Sequence, residues 1–259
     1  MSEPKANGTT NEGVRPSLGI LVCGHAPEEL LEALPDYPDL FVRMLGAETF
    51  DYRRYAVVDG EAVPAANDCD AWLITGSRHG VYEDHPWIAP LEALVREVHR
   101  GDGEGRPGGP LVGICFGHQL VAQALGGRVE KHHDGWSVGR VEYRLDTQPD
   151  PVPLMAYHQD QIQEPPPGSR VIGESDFCRY AALAIGETIR TIQPHPEFDR
   201  ATVAGLLDTR GRALPPESLA RARASLERAG DVESARARVA DELRGFLLAG
   251  IAARRSRAA

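Results

Sequence analysis

Several absences narrow the field. No stretch approaches the roughly 18 consecutive apolar residues of a membrane-spanning helix. The opening MSEPKANGTTNEGVRPS has no apolar core of the kind a secretion signal needs. Positive charge is in deficit, with 28 Lys and Arg against 38 Asp and Glu and a net charge of −10. That balance argues against a general binder of nucleic acid or anionic membranes. Cysteine is scarce, with four in 259 residues, at Cys23, Cys69, Cys115 and Cys178. No pair has metal-ligand spacing, and a chain of this length does not need disulfide staples. The expectation is a reduced, cytoplasmic protein without metal or cofactor, whose thiol chemistry, if any, rests on one cysteine. The glycine-rich GDGEGRPGG at 101–109 lacks the Walker signature, so it reads as a surface loop rather than a phosphate cradle. Asn7-Gly8-Thr9 has the form of a glycosylation acceptor, but without a secretion signal it reads as chance. No internal repeat and no convincing interdomain linker is visible.

The remaining composition, 42% hydrophobic and 25% charged, is that of an ordinary globular protein. The length suits one large domain, or one domain with an elaborated end. Apolar runs ending in glycine, LGILVCG at 18–24 and DAWLITGS at 70–77, read as buried strands followed by loops. From Pro90 a helix is expected, because Leu91, Leu94, Val95 and Val98 fall on one face. PLVGI then reads as a strand, and 117–125 as a helix closed by Gly126-Gly127. Alternating strands and helices predict an α/β fold with a mostly parallel central sheet and helices on both faces. Further strands are expected at Val141–Leu145, SRVIGE and ETIRTIQ. Val239, Leu243, Phe246 and Leu247 predict a final amphipathic helix, while the mixed charges from Arg221 to Arg244 read as a solvated helical face. The expected organisation is a disordered lead over 1–16, a catalytic domain over 17–200, and a helical extension over 201–259 packed on the same domain.

Gly113-Ile114-Cys115-Phe116-Gly117 stands where a strand turns into a helix. Gly-x-nucleophile-x-Gly is the form of a nucleophile elbow, whose strained turn leaves little room for Cβ atoms nearby. The thiol would project beyond the strand's C-terminal end, where open α/β sheets place their sites. The helix N-terminus would favour thiolate there, and the Phe116 N–H could stabilise an oxyanion. The bland alternative is a buried structural cysteine at a tight turn. A nucleophilic cysteine also wants a base. His118, in the early helix, would point away from a thiol mounted on the bend. TIQPHPEF at 191–198 offers a better one. Proline after His195 favours an extended segment, in which His195 and Glu197 face the same side. Glu197 can then orient the imidazole towards a nucleophile.

GICFGHQ followed after 80 residues by HPE resembles the triad (class I) glutamine amidotransferases. LITGSRHGVYEDHPWI is similar to that family's oxyanion-loop segment, and YHQDQI at 157–162 to the segment preceding its HPE strand. The start, GHAPEELLEALPDYPDLFVRML, is similar to the free-standing members resembling GMP synthase. The resemblance covers roughly residues 18–200 and implies a flavodoxin-like fold. It implies Cys115 as nucleophile, His195 as base and then acid, and Glu197 as orienting carboxylate. It implies Gly76 and Phe116 as oxyanion donors, and Gln119, Trp136 and Ser137 as contacts to the glutamyl group. His158 and Asp160 match a family motif, with a structural or partner-facing role. Two departures stand out. Gly76-Ser77-Arg78-His79 replaces the Gly-Gly-Pro turn of many synthetase-linked members, and Arg78 is a candidate for meeting a substrate carboxylate. The 62 residues after Glu197 are too few for a synthetase domain.

The leading expectation is therefore a cysteine hydrolase cleaving glutamine to glutamate and ammonia through a γ-glutamyl thioester. A separate synthetase chain would then be the ammonia acceptor, and the glutaminase could be silent until that chain binds. A γ-glutamyl peptidase acting on glutathione-like compounds is the alternative with the same triad. A redox, chaperone or binding protein on the same fold is the alternative of a different class.

Overall fold

A computed structural model describes the chain over residues 15–101, 108–228 and 232–258. The expected disordered lead lies outside the described residues apart from positions 15 and 16, as does most of the expected loop at 101–109. In chain order come β1 (Ser17–Leu21), α1 (Glu28–Leu31), α2 (Tyr37–Leu45), β2 (Asp51–Tyr55), β3 (Ala71–Ile74) and α3 (Ile88–Arg100). Next are β4 (Leu111–Ile114), α4 (Phe116–Ala124), β5 (Arg128–Lys131), β6 (Ser137–Leu145), β7 (Val152–His158) and β8 (Asp160–Glu164). Then come β9 (Ser169–Glu174), β10 (Ala182–Ile185), β11 (Ile189–Ile192), α5 (Arg200–Arg210), α6 (Pro216–Glu227) and α7 (Val232–Ala258).

The main sheet has nine strands in the order β2-β1-β3-β4-β11-β10-β9-β6-β7. β2, β1, β3, β4 and β11 are joined by parallel pairings. The remaining strands continue the sheet by antiparallel pairings. β5 and β8 form a separate antiparallel pair. This α/β architecture is the expected one, with the parallel half followed by an antiparallel half of similar size.

Alternation along the parallel strands sorts their side chains onto two faces. Leu18, Ile20, Leu73, Val112 and Ile114 pack with Phe41 and Leu45 of α2 and Val239 and Leu247 of α7. Leu21, Trp72, Ile74 and Leu111 pack with Leu91 and Val95 of α3 and Phe116 and Leu120 of α4. Because helices cover both faces, β3 and β4 are buried at every position, which is why they read as continuous apolar runs. Burying each large side chain stabilises the fold by about 1.5–3 kcal/mol.

The last three helices pack on the same body. α6 lies on β6 at Gly139, whose φ of +94° and lack of a side chain admit Ser225 and Ala222. The Ser225 hydroxyl accepts the Arg140 N–H at 2.9 Å. The stretch expected as a solvated face is thus two-sided. Ala222, Leu226, Ala235, Val239 and Leu243 are buried, and the charges between them are largely exposed.

Candidate active site

β4 lies between β3 and β11, and all three run in the same direction. Their C-terminal ends therefore deliver three segments to one place: Gly76 after β3, Cys115 after β4 and His195 after β11. Cys115 has φ +52° and ψ −101°, the one positive φ outside glycine among the described residues. A β-carbon at such a φ is strained, so the surroundings must hold it. Both neighbouring strands do. The Cys115 N–H donates to Ile192 O at 2.9 Å, and the Gly117 N–H to Thr75 O at 3.2 Å. The flanking glycines are needed for clearance. A Cβ on Gly113 would lie 2.5 Å from Gly117 O, and one on Gly117 would run into Ile74 O.

His195 is buried and its Nδ1 is 2.6 Å from Glu197 Oε1. Its backbone N–H donates to Met155 O on β7 at 2.8 Å, and its ring stacks on Phe198 at 4.1 Å between centroids. Asp199 then caps α5 by accepting the Thr202 N–H at 2.7 Å, so the HPEF segment is held at both ends. Burial pulls the His195 pKa down, but the Glu197 carboxylate and the Cys115 sulfur outweigh it and hold it up at about 10. Two other buried histidines go the opposite way. Burial pushes His118 down to about 3, and burial together with His195 does the same to His158. Only His195 of these three is therefore held protonated at neutral pH. His118 is turned away, bonded to Thr191 Oγ1 and Tyr180 O at 2.7 and 2.9 Å.

Cys115, His195, Glu197, Gly76, Gln119 and Trp136 all line one cavity of about 480 Å³. Ser137 is buried on β6 and is not among the lining residues, and Phe116 packs inward against Trp87. Gln119 Nε2 donates to Asp160 O at 2.8 Å and to Gln193 Oε1 at 3.1 Å. Gly76 is tight against the site, since a Cβ there would stand 3.1 Å from His195 Cε1.

Sequence reasoning missed three supports. Thr75 Oγ1 accepts the Cys23 N–H at 2.9 Å and donates to Gly76 O at 3.0 Å, tying β1 to the loop. Gln193 Nε2 donates to Cys115 Sγ at 3.5 Å. Arg236 of α7 donates through Nε to Pro196 O at 2.9 Å and through a terminal nitrogen to Glu197 O at 3.0 Å. Thr75 and Gln193 stand beside recognisable motifs, but nothing local marks Arg236.

Among the described residues two groups bring three candidate metal ligands within 4.8 Å of one another: His79, Glu83 and His85, and His132, His133 and Asp134. In the first, both imidazoles already bond to Glu83 Oε2, at 2.9 and 2.8 Å. No described helix is long and apolar enough to cross a membrane.

The sequence model of the family described as Glutamine amidotransferase class-I matches residues 102–205, which include Cys115, His195 and Glu197. Over that segment the chain is similar to the class I glutamine amidotransferases. Gamma-glutamyl peptidase 4 of Arabidopsis thaliana is 28% identical over 187 residues, covering 66% of this chain and 72% of that protein. The glutamine-hydrolyzing GMP synthase of Clostridium novyi is 36% identical over 117 residues, covering 38% of this chain and 22% of that protein. A solved glutamine amido transferase from Methylobacillus flagellatus superposes with a TM-score of 0.68 at 21% identity, covering 92% of this chain and 96% of that one. At that identity the structural likeness speaks for the amidotransferase fold alone.

Proposed function

We propose that this chain is a class I glutamine amidotransferase that cleaves γ-glutamyl amides by way of a thioester on Cys115. The observation that carries the reading is a strained cysteine sharing a cavity with a buried histidine held protonated by a carboxylate 2.6 Å away. In this reading the Cys115 sulfur attacks the γ-carbonyl carbon, and the oxyanion is met by the N–H groups of Gly76 and Phe116. The C–N bond breaks as His195 gives its proton to the leaving nitrogen. His195 then takes a proton from water, which attacks the thioester and releases glutamate. Glu197 keeps the imidazole oriented throughout. Gln119, Trp136 and Ser137 are the proposed contacts to the glutamyl end, Ser137 through its backbone.

Glutamine is the smallest substrate of this class. A separate synthetase chain would then be the partner that consumes ammonia, as the likeness to a GMP synthase suggests. Cleavage of larger γ-glutamyl compounds is favoured by a specific observation. The cavity's 480 Å³ is in the range of pockets that hold whole drug-sized ligands, and relatives named as γ-glutamyl peptidases match over two thirds of the chain. The four cysteines are unpaired, which suits a reducing compartment such as the cytoplasm.

Mass spectrometry after exposure to a glutamine-like chloroketone tests the common step. The expected result is one covalent adduct on Cys115, slowed in His195→Ala and lost in Cys115→Ala. A sulfur that oxidises readily yet takes no label, with no γ-glutamyl amide cleaved, would point instead to a redox or binding protein on this fold.

A further inference from the structure

The cavity has two unlike walls. One is built from the loop Gly76 to Gly80, Gln119 of α4, and His158 to Asp160 where β7 passes into β8. Tyr82 ties the loop after β3 to the start of β8 by donating to Asp160 Oδ2 at 2.9 Å. The other wall is made of Tyr37, Trp136, Tyr157 and Phe198, with α5 and the short turn after it, residues 206–214. Most of that second wall's helical part begins just beyond residue 205, where the match to the family model ends.

Proton transfer decides which wall faces the leaving group. The departing nitrogen takes its proton from His195, so it leaves on the His195 side of Cys115. The His195 ring stacks on Phe198, and Phe198 packs against Tyr37 at 5.5 Å between centroids. The leaving group is therefore directed towards the helical wall. The glutamyl end is left for the loop wall, where Gln119 stands.

Two groups on the helical wall lack the partners that a buried or charged group normally has. Arg210 has no carboxylate within salt-bridge reach among the described residues, and its recorded bond is a long one, 3.4 Å to His25 O. The Tyr157 hydroxyl is buried and makes no hydrogen bond among the described residues. The two lie close enough for the Arg210 charge to act on the Tyr157 hydroxyl, and it acts on Tyr37 as well. Leaving a buried polar group unsatisfied costs free energy, so a guanidinium without a carboxylate partner among the described residues and an orphaned hydroxyl lining the same cavity mark a place for an anion. A guanidinium is suited to a carboxylate, which can accept two of its N–H groups at once. The same lining also holds the apolar Leu206, Leu214 and Phe198.

We propose that Arg210 and Tyr157 form a subsite that binds a carboxylate carried by the leaving amine. The favoured substrates are then γ-glutamyl peptides with a free C-terminal carboxylate, and glutamine, which has nothing to place there, is a poorer one. The inference rests on the γ-glutamyl thioester reading above and adds the chemistry of the leaving side.

The test compares kcat/KM for γ-glutamyl dipeptides with that for the same dipeptides bearing a C-terminal amide. The intact enzyme should prefer the acids by about 10- to 100-fold, the range for a charge-assisted hydrogen bond. That ratio should fall towards one in Arg210→Gln, mainly through KM for the acids, and should be partly kept in Arg210→Lys. Tyr157→Phe should lower the ratio by a smaller factor, which serves if Arg210→Gln melts early. Equal kcat/KM for acids and amides in the intact enzyme would overturn the subsite. So would variants that slow both series alike and leave the ratio unchanged. Failure of the underlying reading looks different: no γ-glutamyl amide of either series is cleaved and Cys115 takes no label.

Discussion

Replacing Gly113 by alanine sets two opposing effects against each other. Glycine costs a strand interior roughly 0.5–1 kcal/mol relative to alanine, so propensity alone predicts a more stable protein. The added Cβ, however, would stand 2.5 Å from Gly117 O, 2.7 Å from Gly117 C and 3.0 Å from His118 N. All three are backbone atoms of the first turn of α4, and no flexible side chain can swing aside. To reach even 3.0 Å from Gly117 O, strand and helix must part by 0.5 Å, the difference between 3.0 and 2.5. Overpacking of this kind costs about 1–3 kcal/mol, which exceeds the propensity gain. The moving parts are the Cys115 bend and the Phe116 N–H, and catalytic geometry tolerates about 0.5 Å before it suffers. A 1 Å misplacement costs on the order of 10²-fold in rate. Gly113→Ala should therefore melt a few degrees lower, keep its far-ultraviolet circular dichroism, and lose about 10- to 100-fold in kcat with KM changed little. Thermal melts and steady-state cleavage of a γ-glutamyl amide read both numbers. A variant that melts higher than the parent and keeps full kcat would refute the clearance argument.

Other perturbations have equally direct readouts. His195 gains its proton on folding, since its pKa is 6.5 as a free group and about 10 in the fold. Its contribution to stability is complete below about pH 6.5 and is lost as pH rises through 10, so denaturant midpoints should fall over that interval. Glu197→Gln removes the anion responsible, and its midpoint should be flatter across the same range; an identical slope would show that another group titrates. Arg236→Ala should lower kcat more than it raises KM, because it frees the Pro196 and Glu197 carbonyls, and it should cost about 2 kcal/mol. Arg236→Lys should recover little, since one ammonium cannot reproduce the planar fork. Gly76→Ala puts a Cβ 3.1 Å from His195 Cε1, and should slow chloroketone labelling of Cys115 while leaving the melting temperature within about a degree.

Much of the candidate site was legible because it is written in short segments. A Cys between glycines two residues away on each side, and a His and Glu separated by one proline, are local patterns with local physical causes. The fold was legible for a similar reason. β3 and β4 are short and wholly apolar, with glycine two and three residues past their ends, and the helix between them repeats at helical spacing. Boundaries shifted by a few residues. The strand expected at 18–24 ends at Leu21, because Cys23 already bonds through its N–H to the Thr75 hydroxyl and leaves the ladder. The antiparallel half of the sheet was less legible, because pairing between distant strands such as β6 and β9 depends on contacts rather than on local periodicity.

Read locally, the chain already specifies most of its elements, the bend at Cys115 and the two side chains able to serve it. Each depends on residues a few positions apart, whose geometry is set by backbone sterics and short-range spacing. Packing in three dimensions was needed to put β4 between β3 and β11, and hence to bring Gly76, Cys115 and His195 together. It also brings Arg236, 39 residues beyond Glu197, onto the backbone behind that carboxylate, and turns Arg210 and Tyr157 towards one cavity. Those contacts come from how helices close over a sheet, where distance along the chain carries no information about distance in space.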